Sequence, residues 1–103
     1  MKVLVEGHRY SLPLYNDETK EAEIQFIHNE CINQTTGELR EISDGITDEQ
    51  LLEILVDRCK YHNNKLYCSE NEQVLIALQT ALFWKQKRKL DRISRNVVGK
   101  LIP

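Results

Sequence analysis

With 103 residues and 41% hydrophobic content, the chain is read as one domain with a real but modest core that self-association would extend. Its formal charge of -2 hides an asymmetry: residues 85–103 hold seven Lys/Arg against Asp91 alone, leaving seven Lys/Arg against fifteen acids in residues 1–84. An acidic body with a basic end excludes a general DNA binder, which spreads positive charge over a broad surface, and suits a small anionic ligand or a local contact.

In chain order, the first forty-odd residues are predicted to form short strands. Residues 8–14 alternate with Tyr10, Leu12 and Leu14 on one side, and residues 23–28 place Ile24 and Phe26 together with Gln25 and Ile27 opposite. The polar stretch 15–20 reads as a turn, and Thr35-Thr36-Gly37 as another before Leu39 and Ile42, so a small antiparallel sheet is expected over residues 1–43. Asp44-Gly45 then breaks the chain. Thr47-Asp48-Glu49-Gln50 is a capping box, in which the Thr hydroxyl meets an unpartnered amide of the first turn and Gln50 reaches back, and it predicts a helix over 48–62. On that helix Leu52, Leu55, Val56 and Cys59 make one stripe, with Leu51, Ile54, Arg58 and Tyr61 beside it. The apolar arc is wider than one partner needs, so the sheet and a further surface are expected to cover it. Asn63-Asn64 is read as the stop, because Asn tolerates the left-handed conformation that ends helices. Ser69-Glu70-Asn71-Glu72 is read as a second capping box opening a long helix over 69–99. The expected fold is α+β: a small N-terminal antiparallel sheet followed by an antiparallel pair of helices in residues 44–103, the second one long, all in a single domain 1–103.

The long helix sorts its polar groups by end. Asn71 sits in the first turn, whereas Lys85, Arg88, Arg92 and Arg95 recur at spacings of three, four and three along one face. Like charges so placed repel, which a polyanion lying along the face would relieve; a solvated basic face is the alternative. No secretory signal is read, since residues 1–5 are followed at once by Glu6 and His8, and no apolar run approaches membrane-spanning length, so a cytoplasmic location is expected. Cys31, Cys59 and Cys68 are an odd number, favouring reduced thiols over a disulfide framework. His28 with Cys31 and Cys59 with His62 have spacings that zinc could use, but neither pair is a Cys-x-x-Cys knuckle and Cys68 is left over, so no metal is expected.

The order of motifs in the chain points to a family. Asp44-Gly45-Ile46-Thr47, Leu55-Val56-Asp57-Arg58, Tyr61-His62-Asn63, Cys68-Ser69-Glu70-Asn71, Ala81-Leu82, Trp84, Arg88, Asp91-Arg92 and Val98-Gly99, with His8-Arg9-Tyr10 and Ile24-Gln25-Phe26-Ile27 before them, resemble the phage-encoded anti-Thoeris sponge proteins of the first type described. The resemblance implies a protein that is not an enzyme and needs no cofactor. It would act in the cytoplasm of an infected bacterium, binding glycocyclic ADP-ribose, the messenger of Thoeris defence, and keeping it from its effector. Some members also take cyclic di- or trinucleotides in separate pockets. Carried over residue by residue, the resemblance puts Tyr61, Asn71, Arg88 and Arg92 in the messenger pocket, and Arg9, Thr47, Arg58 and Arg95 are kept as secondary candidates for ligand contact. The chain departs from the family pattern at Tyr61, where Phe is usual, at Lys85, where Leu is usual, and at Asn96 and Val98, where Gly and Glu are usual.

Helix geometry constrains how such a pocket can be built. Asn71 and Arg88 are seventeen residues apart, roughly 25 Å along one helix. One dinucleotide-sized ligand cannot easily touch both in one chain, whereas antiparallel pairing of two long helices would bring Arg88 and Arg92 of one copy beside Tyr61 and Asn71 of another. A homodimer or an assembly of dimers is therefore expected. A ring and a guanidinium could sandwich the adenine while a second guanidinium takes phosphate oxygens and Asn71 bonds a ribose hydroxyl or base edge. Each residue has an alternative: interface packing for Tyr61, backbone satisfaction at the helix start for Asn71, and solvated or Asp91-paired charges for Arg88 and Arg92; Trp84 is read as core or dimer contact. The competing function is a small RNA-binding or transcription-adaptor module using the basic half-helix, against which the acidic body and the lack of interleaved aromatics count. Hydrolysis of the messenger lacks a nucleophile with a base and orienting acid, or a glycine-rich phosphate loop.

Overall fold

A computed structural model describes residues 1–103. Five strands precede two helices: β1 (Lys2–Val5), β2 (Arg9–Pro13), β3 (Glu21–Gln25), β4 (His28–Asn33), β5 (Glu38–Ser43), α1 (Asp48–Lys65) and α2 (Ser69–Ser94). The fold is thus α+β as the sequence predicts, with the strands divided between two small antiparallel sheets, β1-β2-β3 and β4-β5. Internal contacts define two compact units, Met1–Thr47 with Gly99–Leu101, and Asp48–Val98 with Ile102–Pro103.

In the first unit, β1 and β2 are joined across Gly7, whose φ of 74° fits the turn that His8 N–H closes on the Val5 carbonyl at 2.9 Å. The register slips between Val3 and Val5, a bulge that sets Val5 opposite Arg9. The predicted turn over 15–20 is ordered by Asp17, whose carboxylate accepts the Thr19 amide at 3.1 Å, and Leu14 N–H closes onto the Lys20 carbonyl. Along β2 the side chain of Ser11 is buried, while Tyr10 and Leu12, on the predicted apolar side, are half-buried. Asn33 caps the β4–β5 turn by accepting the Thr35 and Thr36 amides at 3.0 and 3.3 Å, with Gly37 at φ 75°.

One predicted strand is in fact two. Residues 23–28 read as continuous, but β3 ends at Gln25 and β4 begins at His28, because Gly45-Ile46 comes in alongside the gap. Ile46 N–H donates to the Gln25 carbonyl and Ile27 N–H to the Ile46 carbonyl, both at 2.9 Å. The approach requires glycine, since a Cβ on residue 45 would lie 2.4 Å from the Gln25 carbonyl oxygen. The same break brings the rings of His8 and His28 into a stack, with centroids 3.6 Å apart.

The second unit is an antiparallel helical hairpin, with Asp48 at the start of α1 meeting Lys85 far along α2, and Asn63 near the end of α1 meeting Glu72 at the start of α2. Asp48 and Glu49 in the first turn of α1 and His62 and Lys65 in its last suit the helix dipole. The expected stop at Asn63-Asn64 is corrected: α1 runs on to Lys65. Asn63 does not enter the left-handed region, because its side chain serves the hairpin, accepting the Cys68 amide at 3.3 Å and donating to Glu72 at 3.0 Å. Likewise Cys68 rather than Ser69 caps α2, its sulfur accepting the Asn71 amide at 3.4 Å.

The long helix ends at Ser94, short of the predicted 99. Asn96 N–H bonds the Ile93 carbonyl and Val97 N–H the Arg92 carbonyl, with Asn96 at φ 54°, which makes a Schellman turn. Asn, like Gly, tolerates this conformation. Leu52, Val56 and Cys59 of α1 and Leu75, Leu78 and Leu82 of α2 are half-buried, while no apolar side chain of the chain is fully buried. Ile54 (60% exposed), Phe83 (54%), Trp84 (57%) and Leu90 (66%) leave a large apolar surface on the hairpin.

Candidate ligand-binding site

The helical hairpin separates the predicted residues into two groups. Near its turn, a cavity of about 440 Å³ is lined by Leu55, Arg58, Cys59, His62, Lys65, Leu66, Asn71, Val74 and Leu78. The backbone of Asn71 is held at both ends: its N–H goes to Cys68 sulfur, and its carbonyl accepts the Cys59 thiol at 3.4 Å. Since Cys68 does the capping, the Asn71 carboxamide is not used for it. Arg58, one turn back from His62 on α1, brings a cation to the same cavity. Tyr61 stands outside this lining, 54% exposed, with the Lys65 ammonium 4.9 Å from its ring centroid and the His62 ring edge-on at 5.3 Å.

At the other end of the hairpin a cavity of about 190 Å³ is lined by Glu49 of α1, by Lys85, Arg88, Lys89 and Arg92 of α2, and by Val98. The three-four spacing on α2 places Lys85, Arg88 and Arg92 on one side, and α1 supplies the opposite wall. These cations differ in their commitments. Lys85 pairs with Asp48 at 2.7 Å. Arg92 donates through one terminal nitrogen to the Ile102 carbonyl and through the other to the Val97 carbonyl at 2.9 Å. Arg88 and Lys89 are exposed and take part in none of the ion pairs.

The helix thus brings Arg88 and Arg92 together and keeps Asn71 apart from them, about 25 Å from Arg88 and about 32 Å from Arg92 along an unbroken α2. Of the secondary candidates, Arg58 joins Asn71, and Thr47 is half-buried just before α1. Arg95 is bound to Asp91 at 3.0 Å and to the Pro103 carbonyl at 2.7 Å. Arg9 lies on β2, with its guanidinium 3.3 Å from Glu23. Lys89 was not among the sequence candidates, because it falls off the regular stripe; its position next to Arg88 on a helix that borders a cleft is the only signal. The four metal-spaced residues assemble no cluster of three or more ligating side chains.

No family model matches the chain. A comparison with known proteins finds Thoeris anti-defense 1 of Bacillus phage SBSphiJ7, 33% identical over 58 residues, which make up 55% of this chain and 41% of that protein. The chain is similar to a Thoeris anti-defense protein. That finding bears out the resemblance read from the motif order, over a stretch covering less than half the length of the Thoeris anti-defense relative. No helix is long and apolar enough to cross a membrane.

Proposed function

We propose that the chain is a phage anti-defence protein that acts against Thoeris by binding and sequestering its cyclic nucleotide messenger, a glycocyclic ADP-ribose isomer, without turning it over. The observation that carries this reading is the basic cavity at the end of α2, where Arg88 and Lys89 are uncommitted beside Arg92, together with the similarity to a protein named for anti-defence against Thoeris. Uncommitted cations in a cleft suit a pyrophosphate, with Arg88 supplying the planar fork.

The pocket is completed by a second copy. Tyr61 and Asn71 of one protomer would stand against Arg88 and Arg92 of the other, so that each two-fold dimer carries two pockets. The reading is supported by the length of α2 between the two groups of residues, and by the exposed apolar side chains Phe83, Trp84 and Leu90 on the same helix. Capture of a scarce messenger asks for an affinity near nanomolar, about -12 kcal/mol. The protein works in the cytoplasm of the infected host.

Calorimetry and melting shifts with a panel of ligands test the proposal. Cyclic ADP-ribose isomers should raise the melting temperature and be recovered intact by heating, whereas linear ADP-ribose and NAD should do much less, since a rigid ring loses less freedom on binding. Cyclic di- and trinucleotides, included in the panel, report on a separate pocket. Equal shifts from every phosphate compound would reduce the site to generic anion binding; no shift from any, with steeply salt-dependent RNA binding instead, would favour the interaction module.

A further inference from the structure

Lys65 borders two features that a ligand has to use together. Its ammonium stands 4.9 Å from the centroid of the Tyr61 ring, and the same residue lines the cavity of about 440 Å³ that holds Asn71. Tyr61 itself is exposed and outside that lining, so Lys65 joins the ring to the cavity. It does so because α1 runs on past Asn63-Asn64, which puts residues 61 and 65 one helical turn apart on the same face. Asn63 secures this extra turn, with its carboxamide engaged by Cys68 and Glu72. Lys65 takes part in none of the ion pairs, and the partner its charge has is the face of an aromatic ring. At an exposed site such a face is a weak partner, and an ammonium held by it is readily exchanged for a phosphate.

We propose that Lys65 is a specificity residue of the messenger pocket, yielding the face of Tyr61 to the base of the ligand and taking a phosphate of the same ligand in return. This rests on the messenger-binding function proposed above, and it adds a cation on the side of Tyr61 and Asn71, facing the arginines that the other copy brings. Selection works by exchange. A nucleoside without phosphate must displace the ammonium and offers it no new partner, whereas a ligand with base and phosphate replaces a ring face by an ion pair. A compact charge on a flexible four-carbon stem can swing from ring to phosphate while the helix stays in place.

NMR and calorimetry on the full-length protein test the proposal. Without ligand, the ε-methylene protons of Lys65 should be shifted upfield by the Tyr61 ring, and Tyr61→Leu should remove the shift. Lys65→Met should weaken binding of a cyclic ADP-ribose isomer at least tenfold while melting like the wild type, and Lys65→Arg should recover most of that loss. Adenosine, which uses the ring alone, should bind Lys65→Met at least as well as the wild type, so that preference for the cyclic isomer over adenosine falls at least tenfold. Lys60→Met removes the same charge from α1 beside Tyr61 but touches neither the ring nor the cavity, and it should bind like the wild type. An unshifted Lys65 would remove the contact on which the exchange depends. Wild-type affinity in Lys65→Met, or an equal loss for adenosine and the cyclic isomer, would overturn the role, and an equal loss in Lys60→Met would reduce it to net charge. Should the wild type bind no cyclic ADP-ribose isomer, the messenger function fails, and AMP then decides for Lys65: the wild type should bind AMP at least threefold more tightly than Lys65→Met does, and no difference would end this role as well.

Discussion

Cys68 shows how a single atom can settle where a helix begins. It has extended backbone angles and its sulfur accepts the Asn71 amide, the duty usually given to Ser, Thr, Asp or Asn. Sulfur is a weak acceptor, and 3.4 Å is the long bond that follows from it. Cys68→Ser is therefore expected to hold or raise stability, by up to about 1 kcal/mol, and Cys68→Val to lose about 1 kcal/mol. Urea midpoints decide, and a Val variant as stable as the wild type would show that the cap contributes nothing. The same residue explains why Asn71 can be polar, half-buried and uncommitted through its side chain at a helix start.

At the scale of elements, the sheet β1-β2-β3 is tied at its outer strands by Lys2 and Glu21, 2.8 Å apart. The hydrogen bond from the Lys2 ammonium, with its charge, holds the Glu21 carboxyl below the ordinary carboxylate range, and Glu21 raises Lys2 in return. The sign follows from Glu21 being lowered in the folded state: whatever the pair contributes is present above the unfolded carboxylate range and is lost as pH falls through the folded value. Both groups are exposed, so the effect on stability is small; the shift itself is the observable. Lys2→Ala should move the Glu21 titration, followed by NMR, up toward the ordinary range, and an unmoved titration would dismiss the pair. Much of this level was legible in advance. Capping signals and the 3.6-residue period located α1 and α2, and the three-four spacing brought Arg88 and Arg92 together. The rest depends on groups distant in sequence. Nothing in Ile24 to His28 announces that Gly45 will press against Gln25 and split the strand, or in Asn63 that Cys68 and Glu72 will occupy its side chain and let the helix continue. The backbone carbonyls of Val97 and Ile102 that Arg92 meets likewise leave no mark in a sequence.

For the whole molecule, the decisive question is whether the two cavities of the hairpin meet across a pair of chains. Arg88→Ala and Asn71→Ala should each abolish binding of a cyclic ADP-ribose isomer while melting like the wild type. Co-expressed with different tags and purified as the doubly tagged species, they should regain up to half the sites, because one pocket inherits both lesions and the other neither. Pockets built within one chain forbid that recovery, so a doubly tagged species without binding would refute the shared pocket. Arg88→Lys should bind poorly as well, since an ammonium has no planar fork.

No apolar side chain of the single chain is fully buried, so if the proposed dimer supplies the missing core, durability is a property of the population rather than of one molecule. Free energy gained only when two copies close over Phe83, Trp84 and Leu90 must depend on how many copies are present. For two chains of 103 residues, an unfolding enthalpy of about 0.7 kcal/mol per residue predicts a melting point that falls by about 3 to 4 °C for each tenfold dilution. Calorimetric scans over two decades of concentration would measure it, and a midpoint indifferent to dilution would mean the chain stands alone. If the slope is present, the first molecules made in a cell are the most fragile, and protection arrives as a threshold in protein number.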